Sequence, residues 1–239
     1  MGLKTEFVLL AMLSSAVSCS HTGLEDNFVV NRAPFWRSGS KSGDSAPWSS
    51  AIRFEGRNAY RFEVKKGDNQ TRSDKKNGTE RSEIYLDPDQ NGDLIGKETW
   101  YSFGIFIPND FPLTETRVVV GQWKSDDKDG SSNSPSISNR FKSGVFSIKL
   151  KTQQGEREFP VPLFKIGKWN DLIYRIILSP TNGELDVWLN NQQVISFRGP
   201  TAIVNRIHLF KMGIYRDAYK ENMGVYYSRF RRSDSSLRQ

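Results

Sequence analysis

Hydrophobic and polar residues alternate along this chain in short runs, and that alternation is the first restriction on the fold. AIRFE, YRFEV, RSEIYL, TWYSFGIFI, TRVVVGQWK, GVFSIKL, DLIYRIIL, GELDVWLN, QQVISF, RIHLFKMGIY and VYYSRF are rich in Val, Ile, Phe, Tyr and Trp, with Gly, Pro, Asn, Asp and Ser between them. No long stretch sustains a helical period. About eleven short strands separated by turns predict an all-β fold, an antiparallel two-sheet sandwich of the jelly-roll type. TNG at 181–183 and NNQQ at 190–193 supply hairpin turns on either side of GELDVWLN. Two polar segments rich in Gly, Ser and Asn, 65–80 and 124–144, break the rhythm and read as loops. The basic end RFRRSDSSLRQ reads as a frayed tail.

Three strands carry an unusual polar face. In HLFKMGIYRD, period-two alternation sets Lys211, Gly213 and Tyr215 on one side and His208, Phe210, Met212 and Ile214 on the other. RSEIYL sets Arg81, Glu83 and Tyr85 opposite Ser82, Ile84 and Leu86. VVVGQWK sets Val118, Val120, Gln122 and Lys124 opposite Val119, Gly121 and Trp123. A buried sheet face does not hold that many polar groups without partners, so the pattern predicts either a solvated face or a polar groove. Gly213 between Lys211 and Tyr215 suggests that something approaches the backbone closely there.

Composition and charge narrow the alternatives. The 239 residues are 36% hydrophobic and 12% aromatic with six Trp, enough for one substantial core, and no composition shift marks a second domain. The net charge of +7 favours a polyanionic partner. Lys4, the apolar run Phe7 to Leu13 and SSAVSC have the layout of an export signal, too short to span a membrane. AVSC resembles the lipobox of bacterial lipoproteins, in which the Cys, here Cys19, carries a lipid anchor; Ala16 stands where that motif usually has Leu, and ordinary signal cleavage nearby is the alternative. The expected organisation is a signal at 1–18, a tether at 19–27, one domain at 28–232 and a tail at 233–239. The mature protein is expected in the bacterial cell envelope or secreted, as a monomer. Cys19 is the only cysteine, so the domain is stabilised by packing alone.

RSEIY, GQWK and FKMGIYRD, in that order within a jelly-roll pattern, resemble signatures of the jelly-roll polysaccharide lyases, nearest the heparin lyase I and glucuronan lyase group. WYSFGIFIPNDFP and GKWNDLIYRIILSPTNGELDVWLNNQQV fit the same group. The resemblance implies β-elimination on a uronic-acid polysaccharide, glucuronan-like first, then heparin-like, then alginate. The proton on C5 is weakly acidic until the neighbouring carboxylate is neutralised, which calls for cations and amide donors. The resemblance assigns that to Arg81 and Gln122, and acid catalysis at the departing oxygen to Tyr215. Lys211, Glu83, Tyr85 and Arg216 are the expected substrate-binding residues.

One departure from the family pattern leaves the base open. Many relatives have His two residues after the Gln, where this chain has Lys124; its two histidines are His21 in the tether and His208 on the opposite strand face. Lys124 as base, Tyr215 as both base and acid, and a site that only binds sugar are three distinct readings; the third makes the protein a non-catalytic carbohydrate-binding jelly roll. No metal is expected. The one weak cofactor signal is calcium: Asp127, Asp129 and Gly130 fit a calcium loop, but Ser125 and Ser136 stand at its first and twelfth positions. In GELDVW, Glu184 and Asp186 lack the third acid of a jelly-roll glucanase, because Leu189 holds that position. Nucleic acid is disfavoured as a partner, since the cations are spread along the chain and the signal directs export.

Overall fold

The structure, a computed structural model, describes residues 36–38, 52–69, 71–86, 92–125 and 134–238. The expected signal, Cys19, the tether and most of the calcium-like loop lie outside these residues. In chain order the elements begin with β1 (Trp36–Ser38), β2 (Ile52–Phe54), β3 (Arg57–Val64), the helix α1 (Arg72–Asn77), β4 (Thr79–Leu86) and β5 (Glu98–Phe106). Next come β6 (Val118–Ser125), β7 (Ile137–Lys142), β8 (Val145–Thr152), β9 (Gly155–Pro160) and β10 (Trp169–Ile177). The last are β11 (Gly183–Leu189), β12 (Gln192–Gly199), β13 (His208–Asp217) and β14 (Met223–Ser233).

These strands form the predicted antiparallel jelly-roll sandwich. The front sheet runs β1-β4-β13-β6-β7-β8-β9 and the back sheet β12-β11-β10-β5-β14-β3-β2. The inward faces meet in an aromatic core: Trp123 lies 4.6 Å from Phe210 and 4.8 Å from Tyr174, and Phe103 packs on both Tyr174 and Phe210. Such rings remove large apolar areas from water with few rotamers to fix, which suits a domain without crosslinks. The NNQQ hairpin forms as read, Asn190 and Asn191 both at positive φ between β11 and β12.

Three expectations change. Segment 65–80 contains α1, capped by the Thr71 hydroxyl at its start and by left-handed Gly78 at its end. Segment 124–144 contains all of β7, which turns into β8 at Ser143 and Gly144, both at positive φ. The basic C-terminal end belongs to β14 as far as Ser233, and the Arg238 guanidinium lies 4.6 Å above the Trp188 ring.

The parity of β6 is also corrected, by two bulges. Val119 pairs with Arg140 and Gln122 with Ser138, so three steps along β6 match two along β7; Gly121 absorbs the extra residue at φ +120°. Lys211 pairs with Gln122 and Tyr215 with Val119, so β13 carries an extra residue in turn, beside Gly213 at φ +125°. Val118 and Val120 therefore join the core, while Val119 sits in register with Tyr215. The Tyr227 hydroxyl, fully buried on β14, receives the Gly213 N–H and donates to the Val120 carbonyl, tying both bulges to the back sheet. Gly213 thus answers to its own backbone and not to the approach of a ligand: a Cβ there would collide with the Ser82 carbonyl on β4. Gly213→Ala is expected to cost about 3 kcal/mol, more than Gly121→Ala, whose nearest obstacle is the Asn139 side chain. Denaturant titration checks this, and wild-type stability in Gly213→Ala would remove the bulge from the account.

Candidate active site

The strands that carry the polar motifs are neighbours, with β13 between β4 and β6. Antiparallel partners share a face, so the register states what meets on the front. Lys211 lies between Tyr85 and Gln122, Gly213 beside Glu83, and Tyr215 between Arg81 and Val119. Lys124 lies further along, beside Leu209. Arg81, Tyr85, Lys124, Lys211 and Tyr215 are half-buried, as in a groove that solvent enters. The Arg81 guanidinium stands 4.6 Å from the centre of the Tyr215 ring and that of Arg117 5.3 Å, while Lys211 Nζ is 5.4 Å from the Tyr85 ring.

Two buried carboxylates hold these donors in place. Asp74 of α1 accepts from Arg81 Nε at 2.8 Å, from Arg81 Nη2 and from the Thr71 and Thr79 hydroxyls. Burial alone would raise the Asp74 carboxyl; the bonds from Arg81, Thr71 and Thr79 overcome it and hold the group below the usual carboxylate range. Burial likewise opposes the Arg81 charge, and Glu83 and Asp74 more than offset it. Glu83, with no exposed surface, accepts from Gln122 Nε2 at 2.5 Å and from Arg81 Nη1 at 3.4 Å. A carboxylate neighbour fixes the Gln122 amide with its NH₂ end toward Glu83, which leaves one N–H for another acceptor. Arg81 has five donors and spends three on these carboxylates.

Two expected substrate contacts are corrected. Glu83 lies beneath the groove and positions Gln122 and Arg81. Arg216 has no exposed surface either; its Nε donates to Glu80 at 2.8 Å and its other nitrogens to the Tyr219 and Glu221 carbonyls, which closes the end of β13. Sequence reasoning missed Asp74, hidden in a segment read as loop, and Arg140 with Arg117. Arg140 shares its register with Val119 beside Tyr215 and donates to the Ser138 hydroxyl at 2.9 Å; burial, then the charge of Arg117, lowers its pKa. The alternation ISNRFK ahead of the Ser143–Gly144 turn was the available signal for β7 and Arg140.

The described histidine is not in the groove. His208 is fully buried, with Nε2 2.7 Å from the Ser136 hydroxyl and Nδ1 2.9 Å from the Arg206 carbonyl; burial pushes its pKa down to about 4. Among the described residues no group of three or more His, Cys, Asp or Glu is placed to hold a metal ion.

The sandwich and its cation-lined groove define the class first, an antiparallel sheet that gathers fixed positive charge and a phenol on one open face. A family model described as polysaccharide lyase matches residues 30–231, and the chain belongs to that family. No curated protein matches the sequence. Among solved structures, a family 7 alginate lyase A1-II′ in complex with substrate GGMG is similar at TM-score 0.62 and 14% identity, covering 91% of this chain and 98% of that one. The alginate lyase from Klebsiella pneumoniae is similar at TM-score 0.54 and 11% identity, covering 76% and 83%. An HCR/D mutant is similar at TM-score 0.54 and 14% identity, covering 85% of this chain and 44% of that one. These likenesses carry the fold; the lyase class rests on the family match.

The neutral imidazole makes a prediction with a definite sign. The folded pKa of His208, about 4, lies below its unfolded value near 6.5, so its contribution to stability is complete above the unfolded value and is lost as pH falls from about 6.5 toward 4. Asp93, paired with His208 through the backbone and pushed up to about 6 by burial, acts in the opposite sense over much of that range. His208→Gln removes the first effect and keeps the second. Between pH 7 and pH 5 the variant is expected to fare better than wild type by about 2 kcal/mol. Equal slopes of unfolding free energy against pH in the two proteins would contradict the assignment.

Proposed function

We propose that this polysaccharide lyase cleaves a uronate polymer by β-elimination in the front groove. The observation that carries the reading is the meeting of Arg81, Gln122, Lys211 and Tyr215 around Gly213, with Asp74 and Glu83 buried behind them. The sugar carboxylate takes the remaining N–H of Gln122 and the unspent donors of Arg81, with Lys211 alongside. Neutralised there, it allows the C5 proton to leave, since charge passing onto the carboxylate is met by groups already in place. The C5–H electrons form the C4=C5 double bond, the C4–O4 bond breaks, and the leaving oxygen takes a proton.

Tyr215 serves as both base and acid in this reading. Lys124 pairs with Leu209, six residues along β13 from Tyr215, which is about 20 Å of strand. It is better suited to an adjacent sugar, as is Tyr85 beside Lys211. Arg117 and Arg140 extend the cationic wall past Tyr215 for the sugar on the other side. The polymer class is supported by the resemblance of the motifs to glucuronan lyases and by the fold shared with alginate lyases. Glucuronan and alginate are both chains of uronates.

Incubation with glucuronan, alginate, heparin, heparan sulfate and hyaluronan, read by ultraviolet absorbance of the unsaturated uronate, tests the proposal. Absorbance is expected to rise on one of the uronans. Tyr215→Phe is expected to lower kcat by about 10² to 10⁴ with affinity changed only a fewfold, and Lys124→Ala to raise KM more than it lowers kcat. A protein that binds a uronan and never generates the chromophore would refute elimination; a fall in kcat on Lys124→Ala matching that of Tyr215→Phe would move the base to Lys124.

A further inference from the structure

A second cationic hollow lies on the other side of the molecule. On the outer face of the back sheet a trough of about 640 Å³ is lined by Arg53, Arg57, Arg229 and Arg231, with Asp171 as the one carboxylate among its lining residues. Its floor includes two small residues of β5, Ser102 and Gly104, and Ser228 of β14 stands in register beside Gly104. Gly104 has no room for a Cβ: one placed there would meet the Ser228 hydroxyl, Arg57 Nη1 and Asp171 Oδ1. That missing side chain lets Arg57 reach from β3 across β14 and β5 to bond Asp171 on β10, with its guanidinium 4.9 Å from the Trp169 ring.

Two further features mark the trough as built. β14 slips by one residue against β5 between Ser228 and Arg231, and Arg229 takes φ +53°, a left-handed conformation unfavourable for a non-glycine residue. The slip keeps Tyr227 and Phe230 in the core while Arg229 and Arg231 both line the trough. Beneath this surface the buried Ser228 hydroxyl, beside Gly104, has no hydrogen-bond partner among the described residues, and such groups are uncommon.

We infer that this trough is a second binding site for an acidic polysaccharide, remote from the groove and without catalysis, which holds a stretch of the polymer while another stretch is cleaved. Arginine forks suit the carboxylates of such a chain, and the trough is open, polar and large enough for a short oligosaccharide. The inference rests on the substrate class proposed above. Its use is avidity: a long chain held on one face raises its effective concentration at the other, whereas a short oligomer gains nothing.

The test separates this site from the groove. Calorimetric titration of a uronate tetramer into Tyr215→Phe is expected to show two sites per chain, and into Tyr215→Phe with Arg229→Ala and Arg231→Ala one site. With Tyr215 intact, the double arginine variant is expected to cleave the tetramer at the wild-type rate while its KM on long polymer rises about tenfold. Arg53→Ala, at an exposed position away from the bulge, is expected to shift polymer KM in the same direction and guards against misfolding. Unchanged stoichiometry and polymer KM would overturn the site, and binding of double-stranded DNA at the trough as strong as that of the uronan would overturn its ligand class. Absence of turnover in every protein would count against the groove alone, since the stoichiometry still reports on the trough.

Discussion

The arrangement of the front sheet depends on one buried hydroxyl. Tyr227 reaches across from the back sheet and bonds the backbone of both neighbouring strands where each carries an extra residue. A bulge changes which residues face the groove, so two opposed bulges in adjacent strands would slip easily unless something fixed them. With the phenol in place, Gln122 stands level with Lys211 and Tyr215 level with Arg81. Burial keeps that phenol protonated, so the donor is always present. The groove face is thereby set from behind, by a residue with no exposed surface.

Charge imposes the second constraint. A groove lined with cations must keep them half out of water without letting them collapse onto one another or fold away. Here the counter-charges lie below the cations. Asp74 takes two nitrogens of Arg81 from a helix of six residues, and Glu83 joins the Gln122 amide to the same guanidinium. Arginine's fixed fork leaves donors over after both carboxylates are satisfied, which a lysine at 81 could not arrange in the same plane.

Much of the architecture was legible because period-two alternation and turn residues are strong local signals. The strand runs, the NNQQ hairpin and the inward face of β13 follow from them directly. Polar strands were harder: β7 and β9 carry Ser, Asn, Arg, Glu and Lys, and hydrophobic pattern alone reads such segments as loop. Arg81, Gln122, Lys211 and Tyr215 were singled out through motif resemblance and parity, and the three strands that carry them do lie side by side. The resemblance could not separate a group that faces the groove from one that holds another group, so Glu83 and Arg216, both fully buried, were read as surface contacts. Gly121 and Gly213 are visible in the sequence, but only the pairing register shows that they mark bulges and not close approach by a ligand. Asp74 was invisible because its partner is set by tertiary contact and not by spacing.

The position of β13 has a consequence for how the molecule comes into being. It is the central strand of the groove, yet it is made from residues 208–217 and must insert between strands that begin at 79 and 118. During synthesis β4 and β6 are complete while more than eighty residues remain to be added beyond β6, and the gap between them stays open. Contacts that span so much sequence form slowly, and open strand edges attract other chains in the meantime. A chain that stops short of residue 208 would thus lack the groove and also expose two unpaired edges, so the segment that completes the site is also the one that seals the sheet against aggregation.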